Sequence, residues 1–258
     1  MPDRPTTKDA RRDAAREKAR QMREAQARKQ RRNRVLAISA AAVALVLVIG
    51  AVAFGISRAG GGEPAAAPAG VTSDGGIIVG SASAPHTVTL FEDYQCPVCK
   101  AYEPTVGPWL DQQAKAGTLK IEYRPISFLD QMSNGNRYST RAANAAFCVV
   151  GQQGFDFFAY NTAMYQQQPE ENGNGLTDNK LIGIAEQAGA KNVSSCIADG
   201  TYEGFVKQTT QAAMAQSGDG PKVKGTPTVF VDGKPLTGAS GQGAPTQQEI
   251  ATALGIAG

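Results

Sequence analysis

The chain has 258 residues, enough for one sizeable domain or two small ones, and its 41% hydrophobic content is that of a globular protein. The formal net charge of +3 hides an asymmetry: residues 1–34 carry 13 Lys and Arg against 5 Asp and Glu, whereas residues 59–258 carry 12 against 18. That excludes a uniformly basic chain, and the two parts are separate cases.

The leader, residues 1–34, is dense in charge at Arg11-Arg12 and Arg31-Arg32-Asn33-Arg34. Its helix-forming residues carry no apolar stripe, so it is expected to be a solvated, partly helical or disordered arm. Taken alone it invites a nucleic-acid reading. The next segment displaces that reading: Val35 to Ser57 are 23 residues without an ionisable side chain. At 1.5 Å per residue they span roughly 35 Å, enough for a hydrocarbon core of about 30 Å. The basic arm is then the cytoplasmic flank of a single transmembrane signal anchor, which places residues beyond 58 outside. A buried core helix would need a polar face. A cleaved signal peptide is the closer rival, given Ala51-Val52-Ala53, but the leader is long and the apolar run exceeds the usual 7–15 residues. Residues 58–74 follow, opening with RAGGGEPAAAPAG, Gly/Ala/Pro-rich and without packing residues. They are expected to form a flexible tether.

In residues 75–258, His86–Phe91 and Leu119–Arg124 have strand character, and the helical stretch between them begins at a cysteine pair. It is expected to break near Pro104 and Gly107-Pro108 and to stop at Gly117. Strand, helix and strand in about 40 residues make a βαβ unit. From about 138 to 217 the pattern is helical, with Ser139 and Thr177 as expected N-caps and Gly189 as a stop. The loop Gln166 to Gly175 suggests no chemistry. Strand character returns in GTPTVFVDGKPLTG, where Asp232-Gly233 marks a hairpin, and a helix over about 246–254 closes the chain. The order βαβ, helices, ββα predicts one sheet flanked by helices, with a helical insertion.

Of the four cysteines, Cys96 and Cys99 form the only close pair, and His86 is the only histidine, so the two close ligand pairs of a zinc site are missing. As a staple, a three-residue step would constrain the unfolded chain little. As a dithiol, the pair sits where a strand hands over to a helix. There the unpaired N–H groups and the helix dipole favour a thiolate at Cys96, with Pro97 suited to the first turn and Cys99 one turn on. Cys148 and Cys196 both fall in the helical block. In an oxidising compartment they are expected to form a structural disulfide closing a long loop, worth roughly 4 kcal/mol, the alternative being two unrelated buried thiols.

TLFEDYQCPVC, a helical block and KGTPTVFVDG together resemble the thioredoxin-like superfamily, and within it the membrane-anchored DsbA-like thiol–disulfide oxidoreductases of bacteria. The resemblance covers about Gly75 to Gly258. It implies an α/β thioredoxin-like fold with a helical insertion, catalysis by Cys96 and Cys99, and support from Pro97 and Val98. It also implies a cis peptide at Pro227 that leaves the Thr226 backbone free to pair with an extended substrate. The sequence departs from better-known members in two places. Val98 stands where strongly oxidising members carry histidine, which implies a less oxidising pair. Leu90 stands where relatives often place a buried acid. Glu92 or Asp93 is the candidate to substitute for that acid in proton transfer, the alternative being an ordinary solvated charge near a strand end.

The resemblance thus implies an extracytoplasmic enzyme without cofactor or metal that introduces disulfides into exported cysteine-containing proteins and is reoxidised by a quinone-linked membrane thiol oxidase. A reductase or isomerase on the same fold is the alternative, Thr226 before the proline being compatible with isomerising relatives. A non-catalytic peptide-binding module would have no use for an intact Cys96-Pro97-Val98-Cys99.

Overall fold

The structure, a computed structural model, describes residues 65–215, 223–239, 241 and 243–256. The basic arm, the span expected at 35–57 and the start of the tether lie outside the described residues. No helix among the described residues is long and apolar enough to cross a membrane.

Five strands form one sheet: β1 (Ile77–Val79), β2 (His86–Glu92), β3 (Leu119–Pro125), β4 (Thr228–Val231) and β5 (Lys234–Leu236), in the order β1-β3-β2-β4-β5. Only β2 and β3 run parallel, with Val88 opposite Ile121 and Leu90 opposite Tyr123. The other three pairings are antiparallel. Alternation along the strands sends Val88, Leu90, Ile121, Tyr123, Val229 and Val231 into the main core. Phe91 and Phe230 go to the other face, where they join Ile126 and Val223.

Between β2 and β3 runs α1 (Pro97–Lys115), which is continuous across Pro104, Gly107 and Pro108, contrary to the expected break. Each proline removes one helical hydrogen bond. Burial of Cys99, Val106, Trp109, Leu110 and Ala114 on the helix's inner face offsets that loss. The helix stops where predicted: Gly117 is left-handed (φ +74°), Thr118 N–H bonds to the Gln113 carbonyl and Gly117 N–H to that of Ala114.

The insertion comprises α2 (Tyr138–Val149), α3 (Phe157–Gln166), α4 (Asp178–Gln187), α5 (Ser194–Ala198) and α6 (Glu203–Ala215). Thr177 caps α4 through the Lys180 amide at 3.3 Å. Ser139 does not cap α2; it is buried inside the helix. The first turn is tied instead by residues upstream: Ser133 Oγ accepts from Tyr138 N–H at 3.0 Å, and Asp130 accepts from the Thr140 amide and hydroxyl at 2.9 Å. A last helix, α7 (Gln247–Leu254), starts with a capping box between Thr246 and Glu249.

Part of the expected tether lies against this domain. Ala65 N–H donates to Gln208 Oε1 at 2.9 Å, Pro68 is buried, and Val71 bridges to Ile77. Asp74 accepts from Thr72 Oγ and pairs with Arg124 at 2.5 Å. Residues 65–74 therefore belong to the domain surface. Composition alone misses this, because the partners that hold the segment are Gln208 and Arg124, far along the chain.

Candidate active site

Strand β2 ends in Glu92, and Asp93 makes the turn into α1: its carboxylate accepts from the amides of Gln95 at 2.8 Å and Leu129 at 2.7 Å, while its own carbonyl takes the Cys96 N–H at 2.9 Å. This turn puts Cys96 at the N-cap of α1 with Pro97 as the first helical residue. Pro97 and Val98 are exposed, Val98 by 57%, whereas Cys96 is 5% exposed and Cys99 fully buried.

The two thiols differ sharply. Cys96 is held below the ordinary thiol range, at about 6, first by a hydrogen bond from the Cys99 thiol and also by the amides of Cys99 and Val98, with burial opposing. Cys99 is pushed well above its ordinary value by burial, by its bond to Cys96 and by the nearby charge of Glu92. Cys96 is accordingly the thiolate and Cys99 the proton-retaining partner.

The loop before β4 completes the site. Thr226-Pro227 is a cis peptide, and Cys96 Sγ lies 3.3 Å from the Thr226 carbonyl. The Thr226 hydroxyl is buried without a partner, and both residues remain half-exposed. The structure thus brings Cys96, Cys99, Pro97, Val98, Thr226 and Pro227 together. Cys148 and Cys196 are apart from them, joined by a disulfide of 2.00 Å between the last turn of α2 and α5.

Four further residues are buried at the site with little local sign of it in the sequence. Gln168, in the loop that suggested no chemistry, donates through Nε2 to the Cys96 carbonyl at 3.0 Å, and its own carbonyl takes Lys100 Nζ at 3.3 Å. Glu92 and Asp93 are 3% and 0% exposed and are not the solvated charges expected of a strand end. Burial drives Asp93 up to about 6 and Glu92 well above the carboxylate range, Glu92 also feeling the charge of Glu103. Glu103, four residues after Cys99 and hence on the same helix face, is likewise buried and pushed up to about 7. That i, i+4 spacing from a buried cysteine is the one sequence signal that points to it.

Comparison with known proteins places this geometry. A family model described as thioredoxin matches residues 72–251. The serine/threonine-protein kinase PknE of Mycobacterium tuberculosis is 32% identical over 160 residues, 60% of this chain, which spans only 28% of that protein's length. Disulfide bond formation protein D of Bacillus subtilis is 25% identical over 161 residues, 61% of this chain and 68% of that protein. Among solved structures, reduced DsbA from M. tuberculosis is similar with a TM-score of 0.55 and 28% identity, over 69% of this chain and 99% of that one. Oxidised BdbD from B. subtilis shares the fold at 20% identity, with a TM-score of 0.57 over 74% of this chain and 95% of that one.

Proposed function

The chain belongs to the thioredoxin family, and from that premise we propose that it is a DsbA-like thiol–disulfide oxidoreductase that introduces disulfides into exported proteins through Cys96 and Cys99. The observation that carries the proposal is the asymmetry of the pair: a lowered thiol at the helix N-cap beside the Thr226 carbonyl, backed by a buried thiol whose affinity for protons is raised. A substrate thiolate attacks Cys96 of the oxidised pair, the Cys96–Cys99 bond breaks, and Cys99 leaves as a thiolate that takes up a proton. A second substrate thiolate then attacks the substrate sulfur of the mixed disulfide. The substrate leaves oxidised, and Cys96 leaves as the stabilised thiolate.

The half-exposed Thr226-Pro227 backbone beside Cys96 is where an extended substrate peptide would pair, with Pro97 and Val98 forming the exposed rim. Residues 35–57 act as a single-pass anchor with the arm 1–34 in the cytoplasm, an assignment supported by the uncharged run and its basic flank. Turnover requires an electron acceptor, which by family analogy is a quinone-linked membrane thiol oxidase.

The reading is tested by oxidation of a reduced, unfolded protein substrate by the full-length chain. Cys96→Ala is expected to abolish it, and full retention of activity would overturn the catalytic assignment. A Cys96–Cys99 potential near that of thioredoxin, about −270 mV, together with efficient insulin reduction, would replace oxidase by reductase.

A further inference from the structure

We propose that Gln168, in the loop that leaves α3, is a positioning residue for Cys96: its side-chain amide holds the Cys96–Pro97 peptide and so keeps the Cys96 sulfur turned toward the first-turn amides of α1 rather than toward the Thr226 carbonyl. The inference rests on the oxidoreductase reading above and gives the helical insertion a part in it.

The peptide between Cys96 and Pro97 has few means of being held. Proline brings no N–H, so only the Cys96 carbonyl can take a hydrogen bond there. As the N-cap carbonyl of α1 it accepts the first helical bond, from the Lys100 amide at 3.1 Å, and its second lone pair takes Gln168 Nε2 at 3.0 Å. The first bond belongs to any helix. The second comes from 72 residues along the chain and is made out of water, Gln168 being 8% exposed. On the other side of the residue, the Cys96 N–H donates to the Asp93 carbonyl at 2.9 Å. Both peptides that flank the reactive sulfur are therefore fixed.

The loop is itself tied down around this contact. Gln168 N–H donates to the Tyr165 carbonyl at 3.2 Å, and the Gln168 carbonyl takes Lys100 Nζ at 3.3 Å, so the residue that grips α1 is gripped by it in return. Farther along, Asn172 N–H donates to the Met132 carbonyl at 2.8 Å, and Asn134 Nδ2 to the Asn172 carbonyl at 2.8 Å. The same Met132 carbonyl accepts from Nε2 of Gln95, the buried residue just before Cys96. Two consecutive residues, Gln95 and Cys96, are thus anchored in one pair of bonded loops.

Cys96 has an extended ψ of 117°, and rotation about that bond decides which groups its sulfur meets. On one side stand the Cys99 thiol and the amides of Cys99 and Val98, all donors that favour the thiolate. On the other stands the Thr226 carbonyl at 3.3 Å, an acceptor that can hold a thiol but repels a thiolate. Without the Gln168 amide the peptide is freer to turn, and the sulfur exchanges donors for an acceptor. The positive end of the amide dipole is lost with it. The titratable groups that face the sulfur are Cys99 on α1, Glu92 at the end of β2 and Asp93 in the turn that follows; the Gln168 side chain donates to the Cys96 carbonyl and to none of them.

The test compares Gln168→Met, which keeps an unbranched side chain of similar length and removes the donor, with Gln167→Met one position away, both in the full-length chain. The Cys96 pKa is read from thiolate absorbance, the Cys96–Cys99 potential by equilibration with glutathione, and the denaturant midpoint in both redox forms. Gln168→Met is expected to raise the Cys96 pKa from about 6 by about half a unit, a threefold weaker acid, and to lower the potential by about 15 mV. Gln167→Met is expected to match the wild type. A merely structural role would lower both midpoints equally and leave pKa and potential where they are. That result, or equal shifts in the two variants, overturns the proposal, and if Gln168→Met does not fold, Gln168→Leu decides in the same way. Oxidation of a reduced protein that persists in Cys96→Ala would instead overturn the oxidoreductase reading itself.

Discussion

Cys96 owes its lowered pKa to a short list of donors, and the side chain between the cysteines is not among them: Val98 is exposed and brings no charge. A thiolate at about 6 lies between the values near 7 and near 3.5 of weakly and strongly oxidising dithiols. Since a more stable thiolate means a more stable reduced form, the Cys96–Cys99 potential is expected between about −270 and −120 mV, measured by equilibration with glutathione. Val98→His would add a donor and partial cation at the helix N-terminus, where the dipole and amides already favour the thiolate. A drop of one pKa unit, read from thiolate absorbance, should accompany a shift of about +30 mV. A potential unchanged by a real fall in the Cys96 pKa would break the link between thiolate stability and oxidising power in this pair.

At the scale of elements, helix starts whose caps sit at the boundary were legible and remote caps were not. Thr177, the expected cap, accepts from the amide three residues on, and so does Thr246, which was expected only as the approximate start of the last helix. Thr246→Ala should cost about 1 kcal/mol in a denaturant titration, because the hydroxyl that accepts from the Glu249 amide is lost while the backbone N–H that donates to the Glu249 carboxylate remains. The start of α2 was misread because Ser133 and Asp130, which tie its first turn, lie outside any local capping pattern. Strand β1, only three residues long, has too little length to show a period and is defined by pairing with β3. The same contrast runs through the site. Cys96-Pro97-Val98-Cys99 and Thr226-Pro227 are legible as motifs, whereas Asn161 and Gln168 act through partners about 70 residues away and only the folded chain brings them in. Gly107→Ala illustrates the consequence. Helix propensity alone predicts a gain of about 1 kcal/mol, but the new methyl group would displace the buried Glu103 carboxyl and crowd Phe158 at 3.1 Å. No gain in stability is therefore expected, and the measured unfolding midpoint decides between the two.

For the whole molecule, the buried acids and the Cys96 thiol act on stability in opposite pH ranges. Asp93 and Glu103 have native pKa values of about 6 and 7, raised above their ordinary 3.8 and 4.5, so the native state holds protons that the unfolded chain has released. Their contribution is fully present below about pH 4 and is lost as pH rises through 6 and 7, in both redox states. Cys96 has the reverse sign and exists as a free thiol only in the reduced protein. Its pKa is depressed from 9.0 to about 6, so the stability it adds is fully present above 9 and is lost as pH falls through 6. Cys99, raised above 9.0, begins to matter only beyond that window. The oxidised protein should thus lose stability as pH rises from 4 through 7, a loss that Glu92, held well above the carboxylate range, prolongs. The reduced protein should gain on it between pH 6 and 8.5, by on the order of 3 kcal/mol at one pKa unit per about 1.4 kcal/mol. Guanidinium midpoints of both forms at pH 5, 7 and 8.5 measure the gap directly. A gap that stays constant over this range would mean that Cys96 is not the thiolate that drives the chemistry, whereas a gap that changes with pH, together with loss of the pH 6 to 8.5 gain in Cys96→Ser compared with the reduced protein, assigns that free energy to the one sulfur.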